Sequence, residues 1–195
     1  DENGEYTERS SGIYNVINNN ALFTIAKELD KPELYKYIER NLSMMNYYYE
    51  PDGTVFTLNS IRQDSSTTNP LPQMYFGNYL NMFYVTGNQQ YAAMIHKMMT
   101  RKSGLYDSAT SLYEVHKNVG TSSSVSTYML DPSLAELTLK PQPLPTTYHR
   151  FFEESGIVRC RKENLSYTIL ENNTIPFVFQ KGNNQVLIRF ASSFF

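Results

Sequence analysis

Two short stretches of this chain hold the residue types that could do chemistry. The first, "GEYTERSSGIYNVINNN" at residues 4–20, carries the carboxylates of Glu5 and Glu8, the guanidinium of Arg9, the phenol of Tyr14 and then a run of side-chain amides. Asn18 follows Tyr14 by four residues, so on a helix the two share a face that could line a cleft. Surface solvation is the other reading of Asn18 to Asn20, and service to a helix dipole is the other reading of Glu8 and Arg9. The second stretch is Ser60-Ile61-Arg62-Gln63-Asp64. A guanidinium beside an amide and a carboxylate can clamp a sugar carboxylate bidentately, or Arg62 and Asp64 can pair and fix the shape of their own loop. A third feature, Tyr47-Tyr48-Tyr49, offers rings on which sugars could stack, with Tyr48 at its centre. Three consecutive side chains cannot all face one way, so any such platform uses only part of the run.

Composition leans the same way. The chain has 16 Tyr, no Trp and only 18% charged residues. Rings bearing a hydroxyl, together with side-chain amides, suit carbohydrate, although an Asn/Tyr-rich background would give the same count. With 17 Lys+Arg against 19 Asp+Glu, the net charge of -2 leaves no electrostatic footprint for nucleic acid or an anionic membrane. No apolar run is long enough to span a bilayer, so no membrane insertion is expected. The single cysteine, Cys160, cannot form an internal disulfide, and its neighbours Ile157 and Val158 place it in a buried strand. His96, His116 and His149 lack ligand spacing, so neither a metal site nor a cofactor is expected.

The elements that must position these residues change character along the chain. Ile13, Ile17, Leu22, Phe23, Ile25, Ala26 and Leu29 recur at helical steps and predict a helix from about Ser11 to Leu29. "LDKPEL" breaks it, with Asp30 as the cap candidate, and Leu34, Ile38, Leu42 and Met45 predict a second helix. Pro51-Asp52-Gly53 is turn chemistry, and Thr54 to Leu58 alternates as a short strand. Two further helices follow, one carrying Met74, Tyr75, Leu80, Met82, Phe83 and Val85 and ending at Gly87-Asn88, the other in "QQYAAMIHKMMTRK", where His96 reads as a packing residue. "GTSSSVSTYM" is polar, "DPSLAEL" gives a turn or two of helix, and "KPQPLPTTY" reads as a linker. The period then becomes two, with strands expected at Ile157–Arg161, Ser166–Leu170, Phe177–Gln180 and Gln185–Ala191. The expected organisation is an α-helical domain over 1–140, a Pro-rich linker over 141–150 and the start of an antiparallel β domain over 151–195.

"GEYTERSSGIYNVINNNALFTIAKEL" is similar to the G-x-Y-x-E-x-S-x-x-Y segment of heparinase II/III-like polysaccharide lyases. "EPDGTVFTLNSIRQD" is similar to a loop in many members, and "FEESGIVRCRKENLSYTILENN" with the strands after it resembles the start of their β domain. The resemblance implies an α+β multidomain chain: antiparallel helical hairpins of an incomplete (α/α) toroid, followed by part of an antiparallel β-sandwich. It also implies that further toroid helices and the rest of the sandwich are missing.

The activity implied is cleavage of uronic-acid-containing glycans by β-elimination. A base takes the proton α to the carboxyl, an acid protonates the leaving oxygen, and an amide or cation neutralises the carboxylate. By resemblance Tyr14 is the candidate acid/base, and His149 the weaker candidate for base or carboxylate partner. Glu8, Asn18, Arg62, Gln63, Asp64 and Tyr48 are the candidates for binding substrate. The implied partner is an acidic polysaccharide or oligosaccharide, the implied location periplasmic or extracellular. Little or no turnover is expected of so partial a chain, and exposed helix faces lead us to expect self-association or a missing complementary segment. A noncatalytic carbohydrate-binding or assembly module, and a helical-toroid glycoside hydrolase needing paired carboxylates, are the alternatives.

Overall fold

The computed structural model describes residues 1–65, 72–100 and 127–190, which form an α+β fold. Most of the polar stretch after Thr100, and the expected strand end at Ala191, lie outside the described residues. Helices α1 (Tyr14–Glu28), α2 (Tyr35–Met45), α3 (Phe76–Thr86) and α4 (Gln89–Thr100) precede strands β1 (Thr147–Phe152), β2 (Ile157–Lys162), β3 (Leu165–Leu170), β4 (Phe177–Lys181) and β5 (Asn184–Ile188). Two compact units interleave along the chain. One gathers Asp1–Asn18, Lys36–Leu71 and Pro145–Phe195; the other gathers Asn19–Tyr35 and Pro72–Leu144.

In the first unit the strands form one antiparallel meander in the order β1-β2-β3-β4-β5. Its hairpin turns use residues in the left-handed region: Glu163 (φ 54°), Asn172 (φ 52°) and Gly182 (φ 55°). Strand β1 is not among the expected strands: its residues 147–150 fall within the expected linker over 141–150, beside the prolines. Alternation puts Tyr148, Phe152, Ile157, Arg159, Ser166, Thr168 and Val178 on one face. That face lies over the segment following α2: the Tyr148 hydroxyl donates to the Tyr47 carbonyl at 3.0 Å, and Asn173 Nδ2 donates to the Leu58 carbonyl at 3.1 Å. The other face holds Cys160, buried as expected, but leaves Phe151, Ile169, Val186 and Ile188 exposed.

A fully buried ion pair ties the sheet to that segment. Arg159 is 0% exposed and its Nη1 donates to Glu50 Oε1 at 2.8 Å; Glu50 is 1% exposed. Arg159 also donates to Thr168 Oγ1 and, from Nε, to the Tyr47 carbonyl at 2.9 Å, and its guanidinium lies 4.7 Å from the Phe56 ring centre. Ser166 Oγ donates to the second Glu50 oxygen. Burial alone would depress the guanidinium, yet the facing Glu50 carboxylate and the Tyr148 phenol beyond it leave Arg159 more basic than usual.

The segment itself departs from expectation in one respect. Pro51-Asp52-Gly53 does turn, with Gly53 at φ 80° and Asp52 Oδ1 accepting from the Thr54 amide at 2.9 Å. Thr54 to Leu58, however, is not a strand: Val55 makes one isolated bridge to Tyr49. Its side chains are buried in both directions, including Val55, Phe56, Thr57 and Leu58, so the apparent alternation carries no exposed face. In α2, the expected Ile38, Leu42 and Met45 are buried. Gly4 lies against α2 at φ 100°, where a Cβ would fall 2.3 Å from the Arg40 carbonyl, and Asn41 Nδ2 donates to the Gly4 carbonyl at 2.9 Å.

In the second unit, α3 ends at Gly87, left-handed at φ 65°, whose amide donates to the Phe83 carbonyl at 2.8 Å. The helix packs on α4 with the Tyr79 and Tyr91 rings 5.7 Å apart. Met74 and Val85 are exposed, and so is His96, which is not the packing residue expected. The break between α1 and α2 also differs. Asp30 sits in the left-handed region at φ 50° rather than capping, and Lys31 precedes a 3-10 turn over Pro32–Leu34.

Helix α1 runs from one unit into the other and reverses the expected burial. Asn15, Asn19, Val16 and Ala26 are buried, whereas Ile17, Ile25 and Leu29 are exposed. Asn19 is therefore not a solvating surface residue, though Asn20 is exposed. Among the described residues, no helix is long and apolar enough to cross a membrane.

Candidate functional site

The site is built on the N-terminus of α1 and the loop over residues 60–64, both in the first unit. Asp64, 8% exposed, joins them. Its Oδ2 accepts from Ser10 Oγ at 2.9 Å and from the Gly12 amide at 2.8 Å, while Oδ1 accepts from Ser60 Oγ. Only glycine allows this approach, since a Cβ on residue 12 would stand 2.8 Å from Asp64 Oδ2. Each serine passes the connection on: Ser10 Oγ accepts from the Tyr14 amide at 3.0 Å, and Ser60 Oγ from the Arg62 amide at 3.1 Å. Asp64 thus fixes the two backbones rather than presenting a carboxylate to solvent.

Held this way, four of the expected residues meet. Gln63 Nε2 donates to the Tyr14 hydroxyl oxygen at 2.9 Å. The Arg62 guanidinium lies 4.8 Å from the Tyr14 ring centre, and its Nη1 is 3.9 Å from Glu8 Oε1. A neighbouring cation and an amide donor favour the phenolic anion: Arg62 first, then Gln63, lower the Tyr14 pKa from the ordinary phenol value. Arg62 is correspondingly raised, chiefly by Tyr14 and then by Glu8. Asn18, half-exposed, stands one helical turn beyond Tyr14. The arrangement holds a phenol, a guanidinium and an amide together at an accessible surface.

Two expected residues lie elsewhere. Tyr48 is fully buried and cannot stack on a sugar; its hydroxyl donates to Glu5 Oε2 at 3.1 Å. Asn59 Nδ2 donates to the same oxygen at 3.2 Å, and Glu5, 3% exposed, has its pKa raised by burial. Tyr49 is buried too, and Tyr47 packs edge-on against Tyr148, with ring centres 5.0 Å apart. His149 is exposed on β1 and alternates with Tyr148, so it occupies the sheet face opposite Arg159.

Ser10, Gly12 and Ser60 are the site residues that sequence reading missed as participants. The "SSG" before Ile13 was a usable signal, since small polar residues there are apt to cap a helix. It is Ser11 that keeps the S-x-x-Y spacing to Tyr14, and Ser11 Oγ donates instead to the Phe56 carbonyl at 2.6 Å. No family model, curated protein or solved structure matches the chain.

Proposed function

We propose that the chain is a polysaccharide-lyase-like protein acting on uronic-acid-containing glycans by β-elimination, and that its helices and sheet are portions of an α/α toroid and a β-sandwich. The observation that carries this reading is the Tyr14 hydroxyl, whose pKa is lowered by Arg62 and Gln63. Arg62 and Gln63 neutralise the uronate carboxylate, which makes its α-proton more acidic. The Tyr14 phenolate takes that proton. The C–H electron pair becomes the new carbon–carbon double bond, the glycosidic C–O bond breaks, and the Tyr14 hydroxyl returns its proton to the leaving oxygen. Glu8 steadies Arg62, and Asn18 offers an amide further along the same helix face. Such polymers are met outside the cytoplasmic membrane, which is where the chain is expected to work.

The test is incubation with uronate polysaccharides, following ultraviolet absorbance of the unsaturated product, for the wild type and Tyr14→Phe. Turnover lost in Tyr14→Phe while glycan binding persists supports the assignment; undiminished turnover refutes it. The position of His149, on the sheet face opposite Arg159, favours a second reading, a noncatalytic carbohydrate-binding module. Binding that survives Tyr14→Phe, with no product from the wild type, selects it.

A further inference from the structure

The sheet face opposite Arg159 is apolar from edge to edge and open to solvent. The strand register draws it out as rows running across the strands. Phe151, Val158, Ile169, Phe177 and Ile188 stand directly opposite one another and form one row. Phe151, Ile169 and Ile188 in it are 56%, 45% and 47% exposed. The next row contains Tyr167, Phe179 and Val186, the last 61% exposed, and the row after that contains Lys162 and Lys181, both exposed. An apolar surface continuous over five strands is an interaction surface. We propose that this face is an interface between two copies of the chain, packed sheet on sheet about a two-fold axis that crosses the strands. The inference stands independently of the lyase-like reading.

Charge selects both the occupant and the orientation. Among the described residues the three rows hold no carboxylate, and Lys162 and Lys181 are their fully charged members. The turns beyond the apolar row, β1 to β2 and β3 to β4, bear Glu153, Glu154 and Glu171, all exposed. Arg9 and Arg189 are the guanidinia at that end, so carboxylate is in excess there. At the opposite end Arg161, Lys162 and Lys181 face Glu163 alone, so cations are in excess. An axis across the strands lays the apolar row of each copy on the lysine row of the other. The Lys162 and Lys181 stems then cover apolar side chains, while their ammonium groups reach the turn glutamates of the second copy. An axis along the strands would set lysine on lysine and glutamate on glutamate. One chain thus carries both halves of the match, which is the self-complementarity an isologous interface requires. Five strands about 4.8 Å apart, with five residues of about 3.4 Å each, give a face of roughly 24 by 17 Å. At about 400 Å² per copy in flat projection, the pairing belongs to the weak, reversible class.

The experiment is sedimentation equilibrium of the full chain from about 5 to 500 µM at about 50 mM salt. A reversible rise toward twice the 22.6 kDa of one chain is expected. Ile169→Glu/Val186→Glu places carboxylates in the middle of the face and should weaken the dimer at least about tenfold. Lys162→Glu/Lys181→Glu should weaken it by a similar factor, and adding Glu153→Lys/Glu171→Lys to the same chain, which exchanges the two ends, should bring the affinity back to within about threefold of wild type. All of these positions are exposed, and unchanged circular dichroism confirms that each variant folds. A wild type that stays monomeric throughout, or a dimer indifferent to Ile169→Glu/Val186→Glu, overturns the proposal. Failure of the end exchange to restore association overturns the orientation and with it the charge argument. A monomer that floats with phosphatidylglycerol vesicles gives the face to a lipid surface and overturns the proposal likewise.

Discussion

Replacing Glu50 by Gln tests whether the sheet is fastened by charge or only by shape. The substitution keeps the volume and one acceptor oxygen but strands the Arg159 guanidinium, 0% exposed, without its carboxylate. At the roughly 4 Å separating the charge centres, with an effective dielectric near 20, the lost attraction is about 4 kcal/mol. That agrees with the roughly 3–5 kcal/mol observed when one partner of a buried pair is removed. Ser166 Oγ and Thr168 Oγ1 remain nearby, but a hydroxyl cannot replace a full charge. For a chain of this size each kcal/mol shifts Tm by about 2–4 °C, so a fall of about 6–20 °C is expected. Thermal and urea unfolding followed by far-ultraviolet circular dichroism would measure it. The double variant Glu50→Leu/Arg159→Met, which removes both charges, should recover most of the loss. A loss below about 1 kcal/mol in Glu50→Gln, or a double variant less stable than the single one, would refute the reasoning.

Arg62→Ala should move the pH of half-maximal turnover upward, because Tyr14 loses the largest cause of its lowered pKa and its anion forms only nearer the ordinary value of about 10; an unmoved profile would separate Arg62 from the tyrosine. Glu5 has a raised folded pKa, so its stabilising contribution is full below the unfolded carboxyl value of about 4.3 and is lost as pH rises through the folded one. The Tm advantage of Glu5→Gln over wild type should accordingly be larger at pH 8 than at pH 4, and a pH-independent difference would count against it. Asp64→Asn sets an amide hydrogen against one of three donors and should cost about 1–3 kcal/mol by urea unfolding. It should also lower turnover, with the rise of turnover with pH displaced upward as Tyr14 loosens; wild-type stability would remove Asp64 from its joining role.

What could be read from the sequence followed local chemistry. Turn residues at Pro51-Asp52-Gly53 and Gly87, and alternation in β2 to β4, gave elements that the fold contains. The meeting of Glu8, Tyr14, Arg62 and Gln63 was not legible from spacing, since Gln63 and Tyr14 are 49 positions apart. Apolar periodicity misled in α1, where the buried stripe runs through Asn15 and Asn19 while Ile17 and Ile25 face solvent. Hydrophobicity says which side chains gain by burial, and it is silent on amides whose burial depends on partners distant in the chain. The same limit hid the Arg159–Glu50 pair, because 109 positions separate its members.

The interleaving of the two units has a consequence for the order in which the chain can assemble. The chain passes from one unit to the other four times, and the first unit is complete only when Pro145–Phe195 has been made. During synthesis Glu50, Tyr47 and Leu58 therefore wait more than 100 positions for Arg159, Tyr148 and Asn173. Closing such long loops before any contact rewards them slows folding. The nascent chain meanwhile leaves Tyr48, Tyr49 and Phe56 uncovered, the kind of surface that draws chaperones. Neither unit can be released by a single cut, so a fragment ending at residue 140 would lack the strands on which its own N-terminal segment depends.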